Sequence, residues 1–254
     1  AMVFNDWSDH RVGADIISYM NGYADPRREK MFTKGVWNNK EDFYGIRIGI
    51  DVANKDLFVT TYSSPVLNES SPFLWMNAAE VAFLRAEGAL RGWNMGAEAK
   101  ELYNSAIALS FEQYGVSDKA ADYIANTELK PAAYTDPRSA FNDTGGPRSQ
   151  ITIAWEDEGG LERNLERIIT QKWIAIFPLC VEAWSEFRRT GYPKLIPVVE
   201  NKSGGTIDSN TMPRRLWYPP VEYSENSANI SSAVTNLLGG PDNGGTRLWW
   251  DKKP

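Results

Sequence analysis

Between residues 161 and 193, apolar side chains recur at Leu161, Leu165, Ile168, Ile169, Trp173, Ile176 and Phe177. Spacings of three and four place them on one helix face. A second set follows at Val181, Trp184 and Phe187. Glu162 suits the first turn, where the helix dipole favours an anion. Arg188 and Arg189 suit the last turn, Gly191 can take a left-handed cap, and Pro193 cannot continue a helix. Pro178 lacks an N–H and its ring meets the carbonyl of Ile174, so a kink or break is expected there. Two tryptophans on long helices need deep partners, and Trp173 and Trp184 are expected to be sequestered.

The same pattern predicts a helix over 73–93 that is apolar almost all round, with Leu74, Met76, Val81, Phe83, Leu84 and Leu90 among several alanines. Such a helix is enclosed by neighbours, and one flank is expected to need helices from outside this chain. Glu87 and Arg91 can pair at i, i+4. A turn at Asn94-Met95-Gly96 leads to a second helix over 97–114, closed by Gly115. The two read as one tetratricopeptide-type hairpin, with no second copy in the chain. Ser117 can cap a short helix over 118–125. Alternation in 45–50 predicts a short strand. Residues 227–238 read as a last short helix. Residues 127–160 and the Gly-rich end read as loops.

Composition narrows the function. The 254 residues carry a net charge of -6. An acidic chain without a basic patch excludes nucleic-acid binding through counterion release. One Cys and one His exclude an internal disulfide and a thiolate or imidazole metal cluster. His10 reads as a surface or capping side chain. The Pro241-Asp242-Asn243-Gly244-Gly245 loop leaves calcium open, although it has no EF-hand spacing. No apolar run spans a bilayer. Ten Trp and eleven Tyr are a heavy aromatic load, several of them in loops.

Two stretches carry a resemblance. One is Gln171-Lys172-Trp173 with Glu182-Ala183-Trp184-Ser185-Glu186-Phe187-Arg188-Arg189. The other is Arg214-Arg215-Leu216-Trp217-Tyr218-Pro219-Pro220 with Thr246-Arg247-Leu248-Trp249-Trp250-Asp251. In this order and spacing they resemble the SusD/RagB family of outer-membrane nutrient-binding lipoproteins. The stretches at 23–27 and 79–87 agree. The resemblance implies a mainly α fold, a helical scaffold with one tetratricopeptide-type hairpin, long structured loops and little β. It implies that residues 1–254 form the C-terminal portion of a longer protein: a loop-rich ligand side over 1–70, the hairpin over 72–115, connecting loops over 116–160, and C-terminal helices and loops over 161–254. Gln171, Trp173, Trp184, Arg188 and Arg189 would hold helices together. The implied activity is non-catalytic binding of an oligosaccharide at the cell surface and its delivery to a SusC-like TonB-dependent transporter, with a lipid anchor to the outer membrane in the intact protein and no cofactor.

The residues themselves point to a site. In 35–62, aromatics, amides and glycines mix without a helical period, and loops on a rigid scaffold are where binding residues gather. Trp37, Tyr44 and Tyr62 are expected to pack on sugar C–H faces, with Asn38 and Arg47 as polar partners. Gly45 and Gly49 would let backbone approach a ligand. Two other readings stand beside this one. A glycoside hydrolase needs two placed carboxylates, one with a raised pKa; the densest acidic run, Glu156-Asp157-Glu158, reads as a solvated charge run. A tetratricopeptide interaction scaffold would carry more repeats and fewer loop tryptophans.

Overall fold

The computed structural model describes residues 7–252 apart from Ala53 and Phe73. The opening Ala1-Met2-Val3 and the predicted helix start at Phe73 lie outside the described residues. The chain is mainly helical, with one two-stranded ribbon among the described residues. The helices are α1 (Ala14–Gly22), α2 (Arg28–Met31), α3 (Lys55–Thr61), α4 (Ala78–Leu90), α5 (Ala99–Gln113), α6 (Ala120–Ile124), α7 (Gly160–Ala175), α8 (Cys180–Thr190), α9 (Pro220–Glu225) and α10 (Ser227–Asn236). The strands are β1 (Gly35–Trp37) and β2 (Lys40–Asp42).

The core lies where the α4–α5 hairpin packs on α7. Asn77 caps α4 with its side-chain oxygen, accepting from the Ala79 and Glu80 N–H groups at 2.8 and 3.2 Å. Ala79, Phe83 and Ala86 then face inward against Tyr103, Ile107 and Phe111 of α5, all buried. Ile168, Ile169 and Ile174 of α7 close the layer. Each such large apolar side chain contributes about 1.5–3 kcal/mol by leaving water. The opposite flank of α4 is open: Val81 and Leu84 are exposed, with Trp75 and Met76 just before the helix.

Polar groups stitch these helices. Arg27 is fully buried and donates to Asp25, to Ser110 on α5 and to Gln171 on α7. Gln171 donates in turn to the Tyr123 hydroxyl on α6. Arg189 reaches Glu87 of α4 with two bonds of 2.6 Å, and Glu87 also takes Arg91 one turn along. Helix α7 ends before Pro178, and α8 starts a new segment, as the missing N–H dictates. Gly191 closes α8 at φ 74°, a left-handed cap open to glycine at no steric cost.

Five expectations change. Helix α4 starts at Ala78, so Leu74 and Met76, expected on it, lie before it. The 35–62 stretch, read as loop, holds α3, whose start is capped by the Asn54 side chain accepting from the Asp56 and Leu57 N–H groups. The strand lies at 35–42 rather than 45–50, where Ile46 makes only a single parallel bridge to Gly13. A further short helix, α9, precedes α10. Trp173 and Trp184 are half-buried, not sequestered. Trp184 donates its indole N–H to Pro213 O at 2.8 Å and packs its ring on the Arg188 guanidinium at 3.7 Å. Its place is a helix–loop seam.

Candidate functional site

Asn38 and Asn39 form the two-residue turn between β1 and β2, at φ 50° and 60°. Two left-handed residues make the tight turn whose twist matches paired strands, and Asn tolerates that conformation. Trp37 pairs with Lys40. Side chains alternate along a strand, so Lys40 and Asp42 share the ribbon face that carries Trp37. Lys40 and Asp42 form an ion pair at 3.0 Å on that face. The Arg138 guanidinium lies 6.0 Å from the Trp37 ring centre. Trp37 is half-buried and Asn38 exposed.

Beyond the ribbon, a recess of about 140 Å³ opens beside Tyr44, walled by Asn21, Asp42, Ala132, Ala133, Tyr134 and Thr135. Tyr44 is half-buried, and its backbone exchanges hydrogen bonds with Ser63. Burial works to raise the Asp42 pKa, but Lys40, the Phe43 N–H and Arg28 prevail and hold it below the usual carboxylate range. At neutral pH the recess therefore has an ionised acceptor beside an aromatic ring. Sugar hydroxyls are donors, so this pairing suits them.

The structure separates the five residues expected at the site. Trp37, Asn38 and Tyr44 keep accessible surface. Tyr62 is buried at 2 % exposure; its ring packs on Phe58 and its hydroxyl donates to Asp136 at 2.9 Å. Burial, then the nearby Asp136 charge, pushes its phenol pKa up. No ring face is left for a ligand. Arg47 makes four hydrogen bonds to carbonyls, two to Pro197 and one each to Asn142 and Asp143. It clamps the 134–144 loop to the 195–199 segment. The two glycines serve the chain itself: a Cβ on Gly45 would lie 2.6 Å from Gly13 O, and Gly49, at φ 83°, lies against Val198 and Glu200. Asp42, Thr135 and Arg138 were not anticipated. Thr135 and Arg138 reach the site only through tertiary contact, while the Asn38-Asn39 pair between Trp37 and Lys40 is a readable hairpin signal for Asp42.

A larger groove of about 550 Å³ runs between α1, α7 and α8. Ile16, Trp173, Phe177, Leu179, Trp184 and Leu216 make its wall almost wholly apolar. Asp15 is the carboxylate on it. Burial pushes the Asp15 pKa up to about 6, against the Ile196 N–H, which it accepts at 2.6 Å, and the charges of Arg47 and Arg148. The groove's aromatic faces come with few polar groups to orient a sugar, whereas the recess beside Tyr44 has Ser18, Asn21, Asp42 and Thr135. Within the acidic run Asp157 and Glu158 are exposed, as expected, while Glu156 is partly exposed and ion-paired. Arg163 and Arg167 pair with it, and its pKa falls to about 2 through Arg163 first, against burial. Among the described residues no cluster of His, Cys, Asp and Glu could hold a metal, and no helix is long and apolar enough to cross a membrane.

Comparison with known proteins places this architecture. Residues 1–251 match the family described as SusD-like, Susd and RagB outer membrane lipoprotein. No match is found among curated proteins. Among solved structures, a SusD homologue from Bacteroides thetaiotaomicron is 52% identical over 100% of this chain and 54% of its own, with a TM-score of 0.93. One from Bacteroides uniformis is 46% identical over 95% of this chain and 49% of its own, at 0.90. A chitin-binding SusD homologue from Flavobacterium johnsoniae is 44% identical over 100% of this chain and 52% of its own, at 0.85. The chain spans about half the length of each of these structures. With the family matched over nearly its whole length and its helices superposing on those of SusD homologues, the chain belongs to the SusD-like family of outer-membrane lipoproteins.

Proposed function

We propose that this protein binds an oligosaccharide without cleaving it and, as part of an intact lipid-anchored protein at the outer membrane, hands it to a SusC-like TonB-dependent transporter. The observation that carries the reading is the likeness to a chitin-binding homologue along the whole chain. Trp37 and Tyr44 supply the platforms, with Asn38 at the turn and Asp42 and Thr135 as further polar partners. Flat aromatics bury apolar area with little rotamer entropy lost. Tyr62 and Arg47 act from behind, by fixing the loop that faces the ribbon. The hydrolase reading is disfavoured because Glu156 is shifted away from the acid form a proton donor needs, and Asp15 stands alone in an apolar wall. The scaffold reading is disfavoured by the family match over residues 1–251.

Calorimetric titration with chitooligosaccharides and a panel of other glycans tests the proposal. Trp37→Ala should weaken binding by about 1–3 kcal/mol, the range for removing a packed aromatic contact, with an unchanged melting temperature. A variant that melts early and binds normally makes Trp37 a loop anchor. Co-purification of the full-length protein with a β-barrel from native membranes checks the delivery step.

A further inference from the structure

A second recess, of about 210 Å³, lies at the C-terminal end of α8. Its lining brings together Arg148, Arg188, Lys194, Arg214 and Arg247, with Asn210 beside them. Five cations around one small cavity stand out in a chain of net charge -6. Like charges gathered in a cleft raise each other's energy and focus a positive potential into it.

Two of the cations are fixed. The Arg188 guanidinium is held between the rings of Trp184 and Trp250, at 3.7 and 5.1 Å. It donates to Arg214 O at 3.1 Å, and Arg214 donates back to Arg188 O at 2.6 Å. Both residues are more than nine-tenths buried. The Arg188 Nε is buried and has no hydrogen-bond partner. Burial first, and the adjacent Arg214 charge second, pull the Arg188 pKa down, with Asp251 acting against them. Arg214 is matched by Asp251, but among the described residues Arg188 forms no ion pair. Asp251 is engaged by Arg214 at 2.5 and 2.7 Å and by Arg247 at 3.5 Å. Asp208 accepts from the N–H groups of Asn210 and Thr211 in its own turn. Asp15 senses Arg148 across the 195–197 segment. None of these three carboxylates lines the recess.

The other cations form a rim. Lys194 and Arg148 are exposed, and Arg148 is steered by a bond from its Nε to Leu195 O at 3.2 Å. A fixed guanidinium floor with adjustable cations and an amide at the edge matches a compact group of several acceptor oxygens. We propose that this recess binds an oxyanion, a sulfate, phosphate or carboxylate group, free in solution or carried on an acidic sugar. The acidic-sugar source rests on the glycan-binding reading; the free ion does not.

Calorimetric titration with sodium sulfate and sodium phosphate tests the site, with total ionic strength held constant by chloride. A single saturable site in the millimolar range or tighter is expected. Lys194→Gln and Arg148→Gln should each weaken it roughly tenfold, since each removes one charge-assisted contact. Both side chains are exposed, so the melting temperature without anion should stay put. Lys202→Gln, at an exposed loop position outside the recess, should change nothing. Competition identifies the source. Displacement of bound sulfate by N-acetylglucosamine 6-sulfate but not by N-acetylglucosamine assigns the recess to acidic sugars; retention of sulfate against both assigns it to the free ion. Absence of saturable binding, or binding that Lys194→Gln and Arg148→Gln leave intact, overturns the proposal. Neutral chitooligosaccharide binding measured on the same samples stands or falls separately.

Discussion

Two loops of this protein are pinned by different chemistry. The 134–144 loop is held largely by short-range hydrogen bonds. Asp136 takes the Tyr62 hydroxyl, the Arg138 N–H and the Asn142 amide, and Tyr134 reaches Gly45 O at 2.9 Å. Arg47, which ties the loop to the 195–199 segment, meets carbonyls rather than a carboxylate, and Arg138 within the loop lies over the Trp37 ring. The 210–218 loop is held by ion pairs. Arg214 grips Asp251, both buried, and Arg215 pairs with Asp242, which also takes the Tyr218 N–H and the Tyr223 hydroxyl. Many modest bonds let a loop lose one partner and keep its shape. A buried ion pair does not, because the surviving charge is stranded. The loop beside Trp37 is therefore robust to single changes, and the loop beside the cationic recess is brittle.

Arg214→Met gives the largest expected effect. It leaves Asp251 buried with Arg247 at 3.5 Å as its remaining cation, and should cost about 3–5 kcal/mol in urea unfolding. Tyr62→Phe removes one hydrogen bond while Asp136 keeps two others, and should cost about 1–2 kcal/mol. That loss should change little between low and high salt. If Tyr62→Phe costs more than Arg214→Met, the contrast between the two loops is wrong. Glu156→Gln sharpens the comparison from outside both loops. The folded Glu156 pKa, about 2, is depressed from 4.5, so its stabilisation is present above about 4.5 and lost as pH falls toward 2. The carboxylate is partly exposed, so screening reduces the expected loss at pH 7 to about 1 kcal/mol. Unfolding curves of both proteins should converge near pH 2.

How far the sequence went depends on the range of the forces involved. Helices α4, α5, α7 and α8 were readable because apolar periodicity, caps and Pro178 act within a few residues. The Glu87–Arg91 pair is equally local. The family was readable because Trp184, Arg188, Arg214 and Asp251 are tied by contacts that demand those side chains. The proposed binding side was less legible. Tyr62 looks like Tyr44 in sequence, yet Asp136, 74 positions on, draws its hydroxyl inside. Arg47 looks like a free polar partner until the carbonyls of 142, 143 and 197 fold onto it. Trp184 has helical spacing, but its N–H needed Pro213 O, which holds it at a seam. The recess beside Arg188 gathers cations from four separate stretches, and none of those stretches is basic enough to draw attention alone.

The Asn38-Asn39 turn has a consequence for how such a protein could diversify. Both positions sit in left-handed backbone, so drift there is filtered by conformation before it is filtered by chemistry. Asn, Asp and Gly pass; β-branched and bulky residues do not. The tip of the ribbon can thus trade an amide for a carboxylate or for bare backbone while the pairing that positions Trp37 stays in register. On the binding reading proposed above, a lineage could retune which hydroxyl pattern it prefers at that edge, one substitution at a time, with Trp37 held in register.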